Sequence, residues 1–106
     1  MANNYKNAKL DLTATSVTTL YTCPVAKTAV FKSILVSEDT GSADTITVTV
    51  TNGSSVFSLF KVKAVAGNTT VELLTAPLVI EESEVVKVTA ATANRLHVVA
   101  SFLEIG

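Results

Sequence analysis

The sequence is poor in the residue types on which most active sites and ligand sites depend. Its 106 residues include one cysteine, one histidine, four glycines and no tryptophan. A single cysteine excludes an intrachain disulfide framework and suits a reducing compartment. The isolated glycines exclude a phosphate-binding loop, and the few aromatic rings argue against a surface that stacks bases or sugars. We therefore expect no bound cofactor and no metal ion.

Charged residues are also scarce. Asp, Glu, Lys and Arg make up 16% of the chain, against about 25% in an ordinary globular protein. The net charge of −1 and the scattered basic residues provide no patch for nucleic-acid phosphates. No apolar run approaches the roughly 20 residues of a membrane span, and no secretory leader is recognisable. We expect a chain that binds neither nucleic acid nor membrane and hides part of its surface in an assembly, with threonine as an alternative source of polar cover.

The abundant residues favour β-structure. Val and Thr each occur sixteen times, and β-branched side chains suit a pleated sheet. Residues 45–51 alternate strictly between apolar and polar, which directs Ile46, Val48 and Val50 to a core. The following Asn52-Gly53 predicts a hairpin whose second strand returns over residues 56–64.

Similar strand patterns recur along the whole chain. They lie at residues 10–12, 17–22, 29–37, 69–74, 78–80, 85–90 and 96–105. No segment of helical length has a 3.6-residue period. Short strands at this spacing predict an all-β antiparallel sandwich of about eight strands, either a jelly roll or an immunoglobulin-like sandwich.

The sequence also predicts which way two groups of side chains face. In the strand at 29–37, alternation places Val30, Ile34 and Val36 on one face and Phe31 and Leu35 on the other. Two further aromatic residues, Phe57 and Phe60, are expected in the core rather than in an exposed patch.

The chain is expected to form one domain, residues 8–106, preceded by an arm at residues 1–7. The arm lacks an apolar pattern, and we interpret it either as a free tail or as a tether to a partner. The candidate partner-binding residues are Ala2, Asn3, Asn4, Tyr5, Lys6 and Asn7. The asparagine side chains of such an arm would hydrogen-bond along a partner's backbone.

No group of residues predicts catalysis. His97 follows the strand alternation as an outward-facing residue, and Cys23, next to Pro24, is expected as a small buried residue. A Cys23–His97 pair is conceivable, but no neighbouring sequence feature supports one. The acidic segment 81–84 lacks the spacing of a calcium loop and predicts a solvated turn. We expect a protein that is not an enzyme.

Residues 20–34, LYTCPVAKTAVFKSI, resemble a segment found in small β-sandwich structural proteins of tailed bacteriophages. The turn rich in Ser, Gly and Thr that follows, and the apolar ending at 96–105, are similar to the same group. The resemblance covers most of residues 17–106. Ala26 stands where glycine is usual, and because alanine disfavours positive φ we expect a different turn at this position.

The resemblance implies a non-enzymatic structural protein of the virion, made in the host cytoplasm. The role that the resemblance implies first is that of a capsid decoration (cement) protein on the capsid surface. Such a protein binds the major capsid protein lattice and stabilises the head. A homo-oligomer is expected, and a trimer would match a three-fold position of a capsid. A tail, collar or fibre module that binds another virion protein is an alternative in the same class, and a host-glycan-binding module is an alternative of another class.

Overall fold

Nine β-strands form the protein in a computed structural model, which describes residues 3–106. They are β1 (Asn3–Asp11), β2 (Thr18–Thr22), β3 (Thr28–Glu38), β4 (Asp44–Asn52), β5 (Ser55–Val65), β6 (Thr69–Glu72), β7 (Leu78–Ile80), β8 (Val85–Ala90) and β9 (Leu96–Ile105). Within the described chain, no helix has the length and apolar character needed to cross a membrane. The strands other than β1 agree with the sequence patterns, and the all-β prediction is confirmed.

The strands form two antiparallel sheets that make up a sandwich. The first sheet has the order β1-β9-β3-β6, with β7 also paired to β3, and the second has the order β2-β8-β4-β5. Because β6 and β7 pair with successive parts of β3, they act as one interrupted strand. The chain crosses repeatedly between the sheets, and this strand order is that of a jelly roll rather than of an immunoglobulin-like sandwich.

The predicted boundary between an arm and the sandwich is not present. β1 pairs with β9 without interruption from the Asn3–Ile105 pair to the Asp11–His97 pair. Residues 3–7 therefore belong to the first sheet, whereas Ala2 lies outside the described residues. The apolar pattern is missing from these residues because β1 is an edge strand, on which both faces are largely exposed.

The core lies between the two sheets and follows the alternation of the strands. Ile46 and Val48 are fully buried, and Val50 is nearly so, as the pattern of β4 predicts. The hairpin after β4 is also confirmed, since Asn52 pairs with Ser55 across a two-residue loop. Gly53 in that loop has a φ of 61°, a conformation that favours glycine.

The face assignment in β3 is wrong in part. Phe31, Ile34 and Val36 are all buried, whereas Val30 and Leu35 lie on the outer face. The register with β9 shifts between Phe31 and Ser33. A bulge of this kind inserts one residue and reverses the alternation from that point, so a strict period of two fails here.

The two phenylalanines of β5 also differ from each other. Phe60 packs against the core as expected, but Phe57 is 57% exposed. Phe57 lies close to the hairpin turn, at the rim of the sandwich. The core prediction is therefore right for Phe60 and wrong for Phe57.

A buried carboxylate joins two loops at one end of the sandwich. Glu38 accepts hydrogen bonds from the backbone N–H groups of Thr40, Gly41 and Asn68. Burial alone would raise the pKa of Glu38, but these bonds and the one from the Thr40 hydroxyl lower the pKa to about 2. The loops approach so closely that a Cβ on Gly67 would lie 2.7 Å from the Gly41 carbonyl oxygen, which explains a glycine at that position.

The turn that contains Ala26 keeps a conformation suited to glycine, against our expectation. Ala26 has a φ of 66°, and its backbone N–H donates to the Glu82 carboxylate at 2.7 Å. The distant acidic turn thus holds Ala26 in a left-handed conformation. Such a conformation costs a non-glycine residue about 1–2 kcal/mol.

We predict that Ala26→Gly raises the free energy of unfolding by about 0.5–1 kcal/mol, because relief of the Cβ conflict exceeds the added entropy of the unfolded chain. Denaturant titration of both proteins provides the measurement. Ala64→Gly is the matched control, since Ala64 lies in β5 without a positive φ, and it should lower stability. An unchanged or lower stability of Ala26→Gly would contradict strain at Ala26.

Candidate functional site

The two reactive side chains that the sequence contains lie at opposite ends of the sandwich. His97 is the second residue of β9 and contacts the carboxylate of Asp11 at 3.3 Å. Cys23 follows β2 near the other end, and its thiol donates to the Lys27 carbonyl oxygen at 3.3 Å. Burial raises the pKa of Cys23, which keeps the thiol protonated and unreactive. The structure does not bring Cys23 and His97 together.

Acidic side chains are used to hold turns rather than to form a cluster. Glu82 binds the N–H of Ala26, and Glu84 accepts from the backbone N–H of Glu81 at 2.7 Å. Glu72 accepts from the backbone N–H groups of Ile34 and Leu74. Over residues 3–106, no group of three or more His, Cys, Asp and Glu side chains could hold a metal ion.

Lys6, one of the predicted arm residues, is tied to the core by an ion pair. Its amine lies 2.9 Å from the Glu104 carboxylate, which is 4% exposed. The hydroxyl of Tyr21 donates to the other oxygen of Glu104 at 2.6 Å. The hydrogen bonds from Tyr21 and Lys6 lower the pKa of Glu104, although burial opposes them. Burial and the bond to Glu104 raise the pKa of Tyr21.

The remaining described arm residues leave their side chains in solvent. Asn3, Asn4, Tyr5 and Asn7 are all exposed, and Tyr5 is 80% exposed. Their side chains extend from a fixed strand instead of a free segment. That these residues bind a partner stays a prediction, and any such partner would meet an ordered strand and not a flexible arm.

The outer face of the first sheet carries a line of apolar side chains across four strands. Tyr5 in β1 pairs with Leu103 in β9, Leu103 pairs with Val30 in β3, and Val30 pairs with Val79 in β7. In β9, β3 and β7 the neighbours of these residues along the strand, such as Phe102 and Ala29, point into the core, whereas the neighbours of Tyr5 in the edge strand β1 are exposed. We call Tyr5, Leu103, Val30 and Val79 the apolar row.

The exposure of the apolar row is high for large apolar side chains. Tyr5 is 80% and Val79 is 55% exposed at its two ends, with partly buried side chains between them. A second apolar pair, Val99 and Leu35, lies on the same face. A contiguous exposed apolar patch on a protein surface marks an interaction site more often than isolated apolar residues do.

The outer face of the second sheet has a different character. β4 presents Thr45, Thr47, Thr49 and Thr51 there, and β8 adds Lys87 and Thr89. Threonine supplies both the β-branched shape that a strand prefers and a hydroxyl for water. The edge strand β5 of the second sheet does expose apolar side chains, with Val56 62%, Phe57 57% and Val62 60% exposed. On β4 and β8 the second sheet is polar, and we take the first sheet, where the apolar row crosses four strands, as the candidate docking face.

An open groove of about 470 Å³ lies between β5 and the interrupted strand β6–β7. Its walls are mainly apolar, with Leu59, Phe60, Leu74 and Leu78 among them. Of its lining residues one is aromatic, and none carries a side-chain amide. This chemistry differs from the aromatic and amide lining expected of a glycan-binding site, so the groove does not favour that alternative.

The sequence patterns missed the apolar row and the hydrogen-bonded carboxylates. Strand alternation contains no information about which strands are neighbours, so it could not bring Val30 and Leu103 together. The buried Glu38 and Glu104 and the exposed Glu72 carry no signal at all, because their donors come from distant segments: backbone N–H groups for Glu38 and Glu72, and the side chains of Tyr21 and Lys6 for Glu104.

Comparison with known proteins adds information about the fold alone. No protein-family model matches the chain, and no curated protein matches it. Among solved structures, the chain is similar to a protein from the endospore appendages of Bacillus, which are described as a novel family of disulfide-linked pili. The identity is 12%, the TM-score is 0.59, and the match covers 98% of this chain and 86% of the other. The likeness identifies this chain as a β-sandwich of the same general shape.

We predict that Lys6→Met lowers the free energy of unfolding by about 1 kcal/mol at neutral pH, because Glu104 loses a charged partner. The lowered pKa of Glu104 means that its stabilising contribution is present above its ordinary pKa of 4.5. That contribution disappears as the pH falls through the folded-state pKa. The difference between the two proteins should therefore shrink in acid.

Lys9→Met is the matched control for Lys6→Met, because Lys9 lies exposed on the same strand. It should leave stability nearly unchanged at both pH values. Denaturant titrations at pH 7 and pH 3 measure all three proteins. Equal stability of Lys6→Met and the unmodified protein at pH 7 would indicate that the Lys6–Glu104 ion pair does not stabilise the fold.

Proposed function

We propose that the protein is a non-enzymatic structural subunit that docks onto a protein partner through the outer face of its first sheet. The apolar row is the observation that carries this proposal, since it forms a cross-strand line of apolar side chains with highly exposed ends. The low charge of the chain supports the same role, because a subunit that is covered in an assembly needs less polar surface.

The narrower form of the proposal is a capsid decoration protein of a tailed phage. The resemblance of residues 20–34 to phage structural proteins supports it, and so does the jelly roll, a fold that occurs in viral capsid proteins. The partner would be the major capsid protein. The decoration protein would occupy a symmetric position on the capsid surface, for example as a trimer at a three-fold position. Many copies on one particle allow a modest docking face to hold each subunit, because attachment is multivalent. A tail, collar or fibre location is the alternative within this class.

A filament subunit is the second candidate. The likeness to a chain from Bacillus endospore appendages supports it at the level of the fold. Disulfide links between subunits do not suit this chain, because the sequence has one cysteine and that cysteine is 1% exposed. A single thiol per subunit can join subunits only in pairs, so a filament of this chain would depend on non-covalent contacts.

We predict that Val79→Lys reduces the occupancy of this protein on phage heads about tenfold or more, because a charge enters the apolar row at the docking face. Heads that lack the protein are mixed with purified wild-type or variant chains, and bound copies are counted by cryo-electron microscopy. Val56→Lys is the matched control, because Val56 is 62% exposed in β5 of the second sheet.

The location of the density in these images distinguishes the proposals. Density at symmetric positions on the head that is lost with Val79→Lys supports decoration. Density on the tail alone excludes decoration and supports the alternative location. Filaments formed by the purified chain, without binding to particles, would favour the second candidate.

A further inference from the structure

The sandwich has four outer strand edges, and three of them carry features that hinder pairing with another chain. β2 has five residues and an irregular register beside Thr19. β5 has two register shifts, and Val62 in it has a φ of 52°, which is an outlier for a β-branched residue. The β6–β7 edge is interrupted over residues 73–77. Bulges and breaks of this kind are common protection against edge-to-edge association.

β1 is the one of the four edges without a bulge or a break, and the charged residues on it are Lys6, Lys9 and Asp11. Its nine residues pair with β9 in a continuous register without a shift. Within residues 3–106, no strand pairs with its other edge. A long regular edge presents a row of backbone donors and acceptors that can accept another strand.

We infer that the occupant of this edge is β1 of a second copy of the chain, paired antiparallel about a two-fold axis at Asn7. The pairing would join the first sheets of two copies into one continuous sheet. This inference deepens the proposed role as a structural subunit and rests on it, because it names the contact through which subunits associate with each other.

The charges on β1 select this register among the two-fold alternatives. A two-fold axis perpendicular to the sheet places one residue opposite its own copy, at Lys6, Asn7, Ala8 or Lys9. Centring on Lys6 or Lys9 sets two like charges directly opposite, which is destabilising. Centring on Ala8 leaves two residues of β1 unpaired, whereas centring on Asn7 pairs all nine.

The Asn7 register also gives compatible partners to Tyr5, Asn3 and Lys6, and it places Asn4 opposite Leu10 of the second copy. Tyr5 lies opposite Lys9 of the second copy, where an ammonium group and an aromatic ring attract each other. Asn3 lies opposite Asp11 of the second copy, where an amide can donate to a carboxylate. Lys6 lies opposite Ala8 of the second copy, so its ion pair with Glu104 meets no second charge.

A disulfide cross-link tests the register directly. Under oxidation, Asn7→Cys should yield a covalent dimer, because residues directly opposite in antiparallel strands have Cα atoms about 4.5–5.5 Å apart, within disulfide range. Asn3→Cys is the matched control on the same exposed strand. Its two copies would be separated by eight residue steps, about 26 Å, so it should not form a cross-link.

A charge exchange tests the same contact without a thiol. Tyr5→Lys faces Lys9 of the second copy with a like charge, and it should weaken dimerisation about tenfold through two symmetric repulsions. The double variant Tyr5→Lys with Lys9→Glu should restore it. Lys61→Glu, on the β5 edge, should leave dimerisation unchanged. Sedimentation equilibrium of the full chain measures each dissociation constant.

The outcomes separate this inference from the proposed function. A chain that stays monomeric to millimolar concentration, or equal cross-linking by Asn7→Cys and Asn3→Cys, would overturn the inference even if the protein binds its particle. Dimerisation that Tyr5→Lys weakens and the added Lys9→Glu restores would support the inference even if the protein does not bind particles. Failure to bind particles would count against the proposed function alone.

Discussion

Contact between the inner faces of the two sheets is the interaction on which the other features depend. At one end of the core, Tyr21 from the second sheet packs against Phe102 from the first, with ring centroids 4.5 Å apart. Phe102 in turn stacks on Phe31 at 4.8 Å. Because the hydroxyl of Tyr21 also reaches Glu104, the same contact that buries the rings positions the partner of Lys6. Loss of this packing would leave both β1 and the docking face without support.

Carboxylates perform a second structural task, which is to accept hydrogen bonds from backbone N–H groups; Glu38 and Asp44 do so from buried positions, and Glu72 and Glu82 from exposed ones. Glu38, Asp44, Glu72 and Glu82 each accept from a residue distant in sequence. A buried N–H without a partner is costly, and a carboxylate that accepts several of them forms strong hydrogen bonds. These bonds allow the loops to be short and close together without many glycines. They also use acidic side chains inside the fold, so the surface is poorer in charge than the composition alone suggests.

The functional features follow from the unequal faces and edges of this scaffold. In the second sheet, β4 shows threonine to solvent and the edge strand β5 shows apolar side chains such as Val56 and Val62, whereas the first sheet shows the apolar row across four strands. Bulges and breaks modify three edges, and β1 remains regular. The proposed docking face and the proposed contact with a second copy therefore lie on the same sheet. This arrangement fits the proposed structural subunit, which would act through contacts with other proteins.

The strand positions were largely determined by the sequence, because alternation with period two is a local property. The bounds of β7, β8 and β9 agree with the patterns, and the inward face of β4 is correct to the residue. The pattern failed where a local irregularity changes the period, as at the bulge beside Lys32 in β3. It failed also at residues 3–7, because an edge strand needs few apolar side chains.

Tertiary structure alone decided which strands are neighbours, and so it decided the candidate site. Tyr5, Val30, Val79 and Leu103 are widely separated in sequence and form one row only because β9 lies between β1 and β3. The same holds for Lys6 and Glu104, and for Glu38 and Asn68. Local sequence specifies which side chains a strand turns inward, whereas the pairing of distant strands depends on the free energy of the whole sandwich, which no single segment contains.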